Sequence, residues 1–213
     1  MDRRSRGLCL SCKKEFANNV MTKHLAACAE RTPGGESRLH IVVQGMYQHE
    51  YWLHVAAHPK ARLEDLDVFL RRIWLECCGH MSSFEIGGRE YLSAKSDYSE
   101  AESMAIVLSR ILAPGVKFRH TYDFGTSTEL SLRVVGEIHG APHKSRIRLL
   151  ARNIAPRLVC GQCGKPATQL CSQCIWDGDA SFCDECGLEH ECGEEMLLPA
   201  VNSPRAGQCG YTG

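Results

Sequence analysis

Hydrophobic and polar positions divide the chain into a central part with regular periodicity and two ends without it. Within residues 39–151, short apolar runs alternate with polar or glycine-rich turns, which is typical of strands joined as hairpins. Apolar positions recur at helical spacing over residues 62–78, and Gly79 follows as a helix stop. This pattern predicts an α+β fold, with one main helix packed against a mixed, mostly antiparallel sheet.

The predicted strands of the central part are connected mainly by tight turns. The first hairpin joins residues 39–47 to residues 51–57, and a Gly-Gly pair within residues 84–91 predicts a second one. Residues 104–112 predict a short strand followed by a helical turn. The later strands are predicted over residues 118–124, 129–135 and 145–151.

Cysteine is concentrated at the two ends, because 11 of the 13 cysteines lie in the first 28 or the last 54 residues. The sequence contains no recognisable secretory leader and no membrane-length apolar run, so we expect a cytoplasmic protein whose thiols stay reduced. Paired cysteines in such a protein are typical of metal sites. We therefore predict zinc modules at residues 1–31 and 159–213, a linker at residues 32–38 and a metal-free α+β domain at residues 39–158.

The N-terminal module has the spacing Cys-x2-Cys-x11-His-x3-Cys. A β-turn can hold Cys9 and Cys12, while His24 and Cys28, four residues apart, share one helical face. The module resembles ββα zinc fingers that place two cysteines on the turn and a histidine plus a cysteine on the helix. Two of the base-facing positions that this resemblance implies are short and apolar, so we expect no specific base readout. These positions are Ala17, Val20 and Lys23.

The C-terminal module contains three alternating Cys-x2-Cys pairs followed by His190, Cys192 and Cys209. Alternating pairs suit a cross-braced double zinc site, in which the first and third pairs share one ion and the second pair shares another. A helix continuing past the third pair would favour Cys209 as the last ligand of the second ion, whereas a helix ending by Gly193 would favour Cys192. The module resembles MYND and HIT fingers, and more loosely the B-box, which are mostly protein-interaction modules. The candidate ligands are Cys160, Cys163, Cys183 and Cys186 for one ion, and Cys171, Cys174, His190 and either Cys192 or Cys209 for the other.

The formal net charge of +0 conceals an uneven distribution. Residues 1–38 contain eight basic and four acidic side chains, whereas residues 160–213 contain two basic and eight acidic ones. The acidic end is a poor partner for a phosphate backbone and suits a protein partner instead. Basic side chains elsewhere are candidate contacts for nucleic acid or for an acidic partner. They are Lys13, Lys14, Lys23, Lys144, Arg146, Arg148 and Arg152.

Two sequence motifs in the central part carry a resemblance to a known family. The first is His80 followed by Phe84-Glu85, and the second is Tyr-Asp-Phe-Gly at residues 122–125. Over roughly residues 39–137 the chain resembles the Ri-plasmid open-reading-frame-three-like family, whose members are often passengers on plasmids and insertion elements. The resemblance implies a compact α+β fold and no settled activity.

Binding rather than catalysis is the leading hypothesis for this chain. We expect a zinc-binding adaptor of mobile-element type, with about three zinc ions, a protein partner, possible non-specific nucleic-acid contact and no small-molecule substrate. One alternative is a metal-assisted hydrolase or nuclease that uses His80, His120 and Asp123. Another is a DNA-binding regulator. Cys77 lies on the apolar face of the predicted helix, so we expect it in the core.

Overall fold

The structure is a computed structural model that describes residues 5–29, 35–94, 100–140, 143–178 and 180–213. The chain separates into two compact units, each built from two stretches of sequence. The first unit contains Met1–Leu70 and Met81–Ile154, and the second contains Arg71–His80 and Ala155–Gly213. Of the predicted linker, residues 32–34 lie outside the described residues.

The first unit begins with a ββα element, formed by β1 (Arg6–Cys9), β2 (Glu15–Ala17) and α1 (Asn18–Ala29). The strands and helices that follow come in the order expected from the hairpin pattern. They are β3 (Glu36–Gly45), β4 (Trp52–Ala57), α2 (Leu63–Leu70), β5 (Ser82–Ile86), β6 (Arg89–Leu92), β7 (Glu102–Ser103), β8 (Lys117–Tyr122), β9 (Thr128–Gly140) and β10 (Ile147–Asn153).

All ten strands belong to one sheet, in the order β2-β1-β10-β4-β3-β9-β8-β5-β6-β7. Neighbouring strands are antiparallel except β6 and β7, which are parallel. The predicted α+β class with a mixed, mostly antiparallel sheet is therefore confirmed. The turn between β5 and β6 uses Gly87 and Gly88, whose φ angles of 58° and 78° are those that a two-residue hairpin turn requires.

Alternation along the strands decides which side chains enter the core. On β8, Phe118, His120 and Tyr122 are buried, while the intervening Lys117 and Arg119 are exposed. The apolar face of α2 is buried by leucines at helical spacing, namely Leu63, Leu66 and Leu70.

A small polar network is sealed inside the first unit. Asp67 on α2 accepts a hydrogen bond from the Ser82 hydroxyl at 2.6 Å, and its Oδ1 lies 2.8 Å from His120 Nε2. All three residues are buried. Because buried polar groups must be satisfied by one another, this network fixes α2 against β5 and β8 rather than offering a reactive surface.

The N-terminal ββα element is part of the large sheet. β1 pairs with β10 in antiparallel register, with Gly7 opposite Asn153 and Cys9 opposite Ala151. Met21 and Leu25 of α1 are buried in the same apolar cluster as Trp52 and Leu150 of the sheet. The element thus completes its small core by packing on the sheet.

The second unit contains much less regular structure. Its sheet has the order β12-β11-β13, with β11 at Gln169–Cys171, β12 at Ser181–Phe182 and β13 at Leu197–Pro199. A short helix, α3 (Asp184–Leu188), follows β12, and a π-helical turn occupies Arg71–Leu75. The buried apolar side chains of this unit include Trp74, Leu75 and Phe182, and the three short strands contribute only a small part of this core.

No helix in the described part of the chain is long and apolar enough to cross a membrane.

Replacing Gly7 by alanine should destabilise the first unit, because an added Cβ would lie 2.2 Å from Trp52 Cη2 and 2.4 Å from the Arg152 carbonyl oxygen. We expect a loss of about 1–3 kcal/mol, measured as a lower unfolding midpoint by tryptophan fluorescence. Gly136→Ala is the matched control, since an added Cβ there meets nothing within 4 Å. Equal midpoints for the two variants would contradict the close packing of β1 on Trp52.

Candidate metal centres

The N-terminal cluster is built by the β1–β2 turn and by α1. The Lys13 N–H donates to the Cys9 carbonyl and the Cys9 N–H donates to the Lys14 carbonyl, both at 2.9 Å. These hydrogen bonds close a tight turn that brings Cys9 and Cys12 together. Cys12 Sγ lies 3.2 Å from His24 Nε2, and Cys28 completes the group. The His24 ring stacks on Phe16 with centroids 4.2 Å apart, which fixes the imidazole orientation.

The first C-terminal cluster joins Cys160 and Cys163 to Cys183 and Cys186. Its turn repeats the hydrogen bonds of the N-terminal one, since the Gly164 N–H donates to the Cys160 carbonyl at 2.9 Å and the Cys160 N–H donates to the Lys165 carbonyl at 2.8 Å. The residue after the second cysteine has positive φ in both turns, 60° at Lys13 and 74° at Gly164. The same local backbone geometry therefore positions the first cysteine pair of both clusters.

The second C-terminal cluster joins Cys171 and Cys174 to His190 and Cys192. Cys174 Sγ lies 3.4 Å from His190 Nε2 and 3.7 Å from Cys192 Sγ. Because α3 ends at Leu188, the chain is free to turn before Cys192, and this cysteine takes the position that the sequence left open between it and Cys209. The first and third cysteine pairs thus meet at one cluster, and the second pair meets the final ligands at another.

A fourth cluster, which we call the Cys209 cluster, contains Cys77, Cys78, His80 and Cys209. Cys78 Sγ lies 2.8 Å from His80 Nε2, 3.5 Å from Cys77 Sγ and 3.8 Å from Cys209 Sγ. The sequence predicts Cys77 in an apolar core and no metal site in the middle of the chain, and both predictions are wrong, because Cys77 is half-buried beside other thiols.

Ligand counting in the sequence could have revealed this cluster. Three sites of four ligands use ten cysteines and two histidines, which leaves Cys77, Cys78 and Cys209 over. His80 stands two residues after the adjacent pair. What the sequence could not supply is the long-range contact that brings Cys209 to a segment 129 residues away.

The sulfur spacings of the clusters fit a tetrahedral ion, although Cys78 Sγ and His80 Nε2, 2.8 Å apart, would have to separate to about 3.6 Å to share one. In each cluster the four ligand atoms lie within 4.8 Å of one another. Thiolates bound about 2.3 Å from a tetrahedral zinc ion are about 3.8 Å apart, and the Cys163–Cys183 and Cys174–Cys192 sulfurs are 3.6 and 3.7 Å apart. A disulfide bond would require about 2.05 Å. The four clusters of the described residues could therefore hold metal ions.

Electrostatics within a cluster favour a bound cation. The backbone N–H groups of Cys183 and Cys163 lower the pKa of the Cys160 thiol to about 6. In the same cluster, the neighbouring thiols of Cys163 and Cys183 raise the pKa of Cys186 to about 12. The first thiolate is thus stabilised by the backbone, whereas the later ones are opposed by the negative charge already present. A divalent cation would neutralise this negative charge and so lower the pKa of the remaining thiols.

The three residues of the hydrolase alternative do not form an accessible site. His120 is buried and hydrogen-bonded to Asp67. Asp123 is also buried, and its Oδ1 accepts the Gly125 N–H at 3.0 Å. His80 belongs to the Cys209 cluster.

The predicted basic contacts differ in how freely they could meet an anion. Lys13, Lys14, Lys23 and Lys144 are exposed, whereas Arg148 and Arg152 are half-buried. Arg146 is already engaged, since its Nη1 donates to the Lys60 carbonyl at 2.8 Å and its Nε lies 3.8 Å from Asp65.

A cleft of about 870 Å³ lies beside α1 over one face of the large sheet. It is lined by three basic side chains that were not predicted as contacts from the sequence. Two of them face each other, because Lys117 on β8 lies directly opposite Arg133 on β9. Like charges in that position oppose each other. The charged lining residues are Lys117, Arg119, Arg133, Glu50 and Glu85, with His49 at the rim.

Comparisons with known proteins add little to this geometry. No protein-family model matches the chain, and no curated protein matches it. A solved structure of a protein of unknown function from Methanosarcina mazei Go1 has a TM-score of 0.46 and 15% sequence identity, over 55% of this chain and 68% of that chain. This similarity carries no argument about function, and the plasmid-family resemblance stays a prediction.

Replacing Cys192 by alanine should remove one bound ion from the zinc-loaded chain, because three remaining ligands no longer close the second C-terminal site. The measurement is the number of ions per chain by native mass spectrometry. Ser172→Ala is the control, since Ser172 neighbours Cys171 and its hydroxyl donates a long hydrogen bond to Met196 Sδ at 3.7 Å, while its backbone N–H bond to Met196 is kept in alanine. An ion count in Cys192→Ala that stays unchanged in competition with a zinc chelator would contradict ligation by Cys192, because three protein ligands and a water hold zinc less tightly than four protein ligands.

Proposed function

We propose that this chain is a zinc-binding adaptor whose ions hold binding surfaces in shape and do not perform chemistry. The supporting observation is that each cluster predicted from the sequence brings together four cysteine or histidine ligands. Structural zinc is four-coordinate with protein ligands alone, whereas catalytic zinc keeps one position open for water. Thiolate and imidazole sets favour zinc over the harder cations.

The second unit supports a protein partner of basic character. It carries two exposed apolar anchors, Trp176 at 66% and Leu188 at 70% of full exposure. Leu188 ends α3, and acidic residues precede and follow it, including Glu185 and Glu189. Tryptophan is the residue most enriched at energetic centres of protein interfaces, and the surrounding negative charge favours lysine and arginine on the partner.

Replacing Trp176 by alanine should weaken binding of the zinc-loaded chain to peptides that contain apolar residues flanked by lysine and arginine. We expect about a tenfold or greater rise in Kd, equivalent to about 1.4 kcal/mol or more. Fluorescence anisotropy of labelled peptides measures it, with charge-reversed peptides as the specificity control.

Val159→Ser is the matched control variant, since Val159 is 58% exposed in the same unit but lies within residues 138–176, which contain no acidic residue, whereas Trp176 directly precedes Asp177. Equal affinities for basic and acidic peptides, or equal losses in the two variants, would contradict a basic partner at this surface.

Non-specific nucleic-acid binding by the first unit is a second candidate. The observation that favours it is the cleft beside α1, where Lys117 and Arg133 face each other and Arg119 is close by. Phosphate groups would relieve the repulsion between facing cations. The exposed Lys13, Lys14 and Lys23 would extend the same positive character along the ββα element.

Specific base readout gains no support from the finger. Ala17 and Val20 offer no hydrogen-bonding group that could pair with a base edge. The mobile-element setting remains a prediction from the family resemblance, and so does a cytoplasmic location from the reduced thiols.

The double variant Lys117→Gln/Arg133→Gln should lower the salt dependence of binding to labelled single- and double-stranded DNA. Loss of two phosphate contacts reduces the slope of log K against log salt concentration by about 1.4–1.8. Arg146→Gln is the control, because Arg146 is already engaged with Asp65 and the Lys60 carbonyl. Absence of salt-sensitive binding by the unmodified chain would reject this candidate.

A further inference from the structure

The Cys209 cluster is supported by a docked segment within the second unit. Trp74 is fully buried, and its indole N–H donates to the Asn202 carbonyl at 3.0 Å. The Ser203 hydroxyl donates to the Trp74 carbonyl at 2.6 Å. These two bonds hold the chain before Cys209 against the segment that carries Cys77, Cys78 and His80, so the four ligands meet because two distant pieces of sequence dock.

A buried cation stands beside the cluster. Arg205 is 0% exposed, and its Nη2 donates to Cys77 Sγ at 3.4 Å. Burying a guanidinium group carries a large desolvation free-energy cost unless a negative charge lies close to it. Three thiolates and one neutral imidazole around a divalent ion leave a formal charge of about −1. One buried arginine therefore matches the charge that an occupied Cys209 cluster would carry.

The backbone at Cys209 adopts a conformation that needs external support. Cys209 has a φ of 46°, in the left-handed region, and the glycines on either side at 207 and 210 have φ angles of 80° and 66°. The left-handed backbone conformation costs more free energy for cysteine than for glycine. A non-glycine residue keeps this conformation where contacts with the surrounding structure stabilise it. Coordination of the thiolate is a contact of that kind.

The Cys209 cluster differs from the other three in its exposure to solvent. Each of the others contains a cysteine that is at most 2% exposed, namely Cys9, Cys160 or Cys171. In the Cys209 cluster no ligand is fully buried, and both Cys78 and Cys209 are exposed. A competing ligand can therefore reach two of its four sulfur and nitrogen donors directly.

We propose that Cys77, Cys78, His80 and Cys209 bind a fourth zinc ion, which exchanges with solution faster than the other three and fastens the segment 202–209 to the segment 71–80. The proposal rests on the zinc assignment made above for the other clusters. It adds a cross-link that reinforces the docking hydrogen bonds when zinc is bound, so zinc supply regulates the order of the C-terminal segment.

The first experiment counts and times the ions of the full chain. Native mass spectrometry should find four zinc ions, and a chromogenic zinc chelator should remove one of them at least tenfold faster than the rest. Three ions would overturn the fourth site while leaving the adaptor proposal standing. Fewer than three would overturn both. Four ions released at one common rate would overturn the exchangeable character.

Matched variants locate the fast ion. Cys209→Ser should remove the fast phase and leave three slow ions, whereas Cys163→Ser, which also changes an exposed cysteine, should lose a slow ion and keep the fast one. Arg205→Met should accelerate release of the fast ion because the buried charge is gone. A fast phase that persists in Cys209→Ser would overturn the assignment.

Hydrogen exchange tests the fastening. Removal of one zinc equivalent by the chelator should increase exchange at the amides of residues 203–208, while amides of β1 and β10 stay protected. The retained protection of β1 and β10 also shows that the chain remains folded. Unchanged exchange at residues 203–208 after loss of the fast ion would overturn the fastening role.

Discussion

Repulsion between neighbouring thiolates is the constraint on which the cysteine-rich parts of this molecule depend. Each cluster holds three or four titratable sulfurs within a few ångströms, and contact with neighbouring thiols raises the pKa of Cys174 to about 12. Backbone N–H groups lower the pKa of the Cys160 thiol, but they do not prevent neighbouring thiols from raising the pKa of Cys186 in the same cluster. A divalent ion would turn this mutual repulsion into a shared attraction, and metal binding would then be coupled to folding. The coupling would matter most in the second unit, whose strands are two or three residues long.

The first unit shows how a small module with a Cys/His cluster can use a larger neighbour to complete its core. β1 extends the sheet beside β10, and Met21 of α1 is buried with Trp52. Gly7 allows this approach because any side chain there would occupy the space of the indole ring. An isolated finger exposes its helix to bases, whereas α1 also packs on the sheet and lines a cleft with its N-terminal residues. The sheet therefore restricts what the finger can present to a partner.

Local patterns in the sequence predicted much of this fold because the decisive interactions are local. The Gly87-Gly88 turn, the leucine spacing of α2 and the cysteine pairs each act over fewer than twenty residues. The association of β1 with β10 joins residues about 145 positions apart, and no periodicity encodes it. The same holds for Cys209, which the sequence offered as an alternative to Cys192 and which lies instead with Cys77 and Cys78. His80 and His120 were grouped by motif, yet one sits among thiols and the other in a buried network with Asp67.

Metal loading would also change the charge that the chain presents to a partner. The formal net charge of +0 counts every cysteine as neutral. A zinc ion with three thiolates and a histidine adds about −1, and one with four thiolates adds about −2. Three of the four clusters lie in the second unit, which already contains the acidic C-terminal residues. Zinc binding would therefore deepen the negative potential around Trp176 and Leu188 while shaping the surface that carries them. Bound zinc ions would in this way favour the basic partner that we propose.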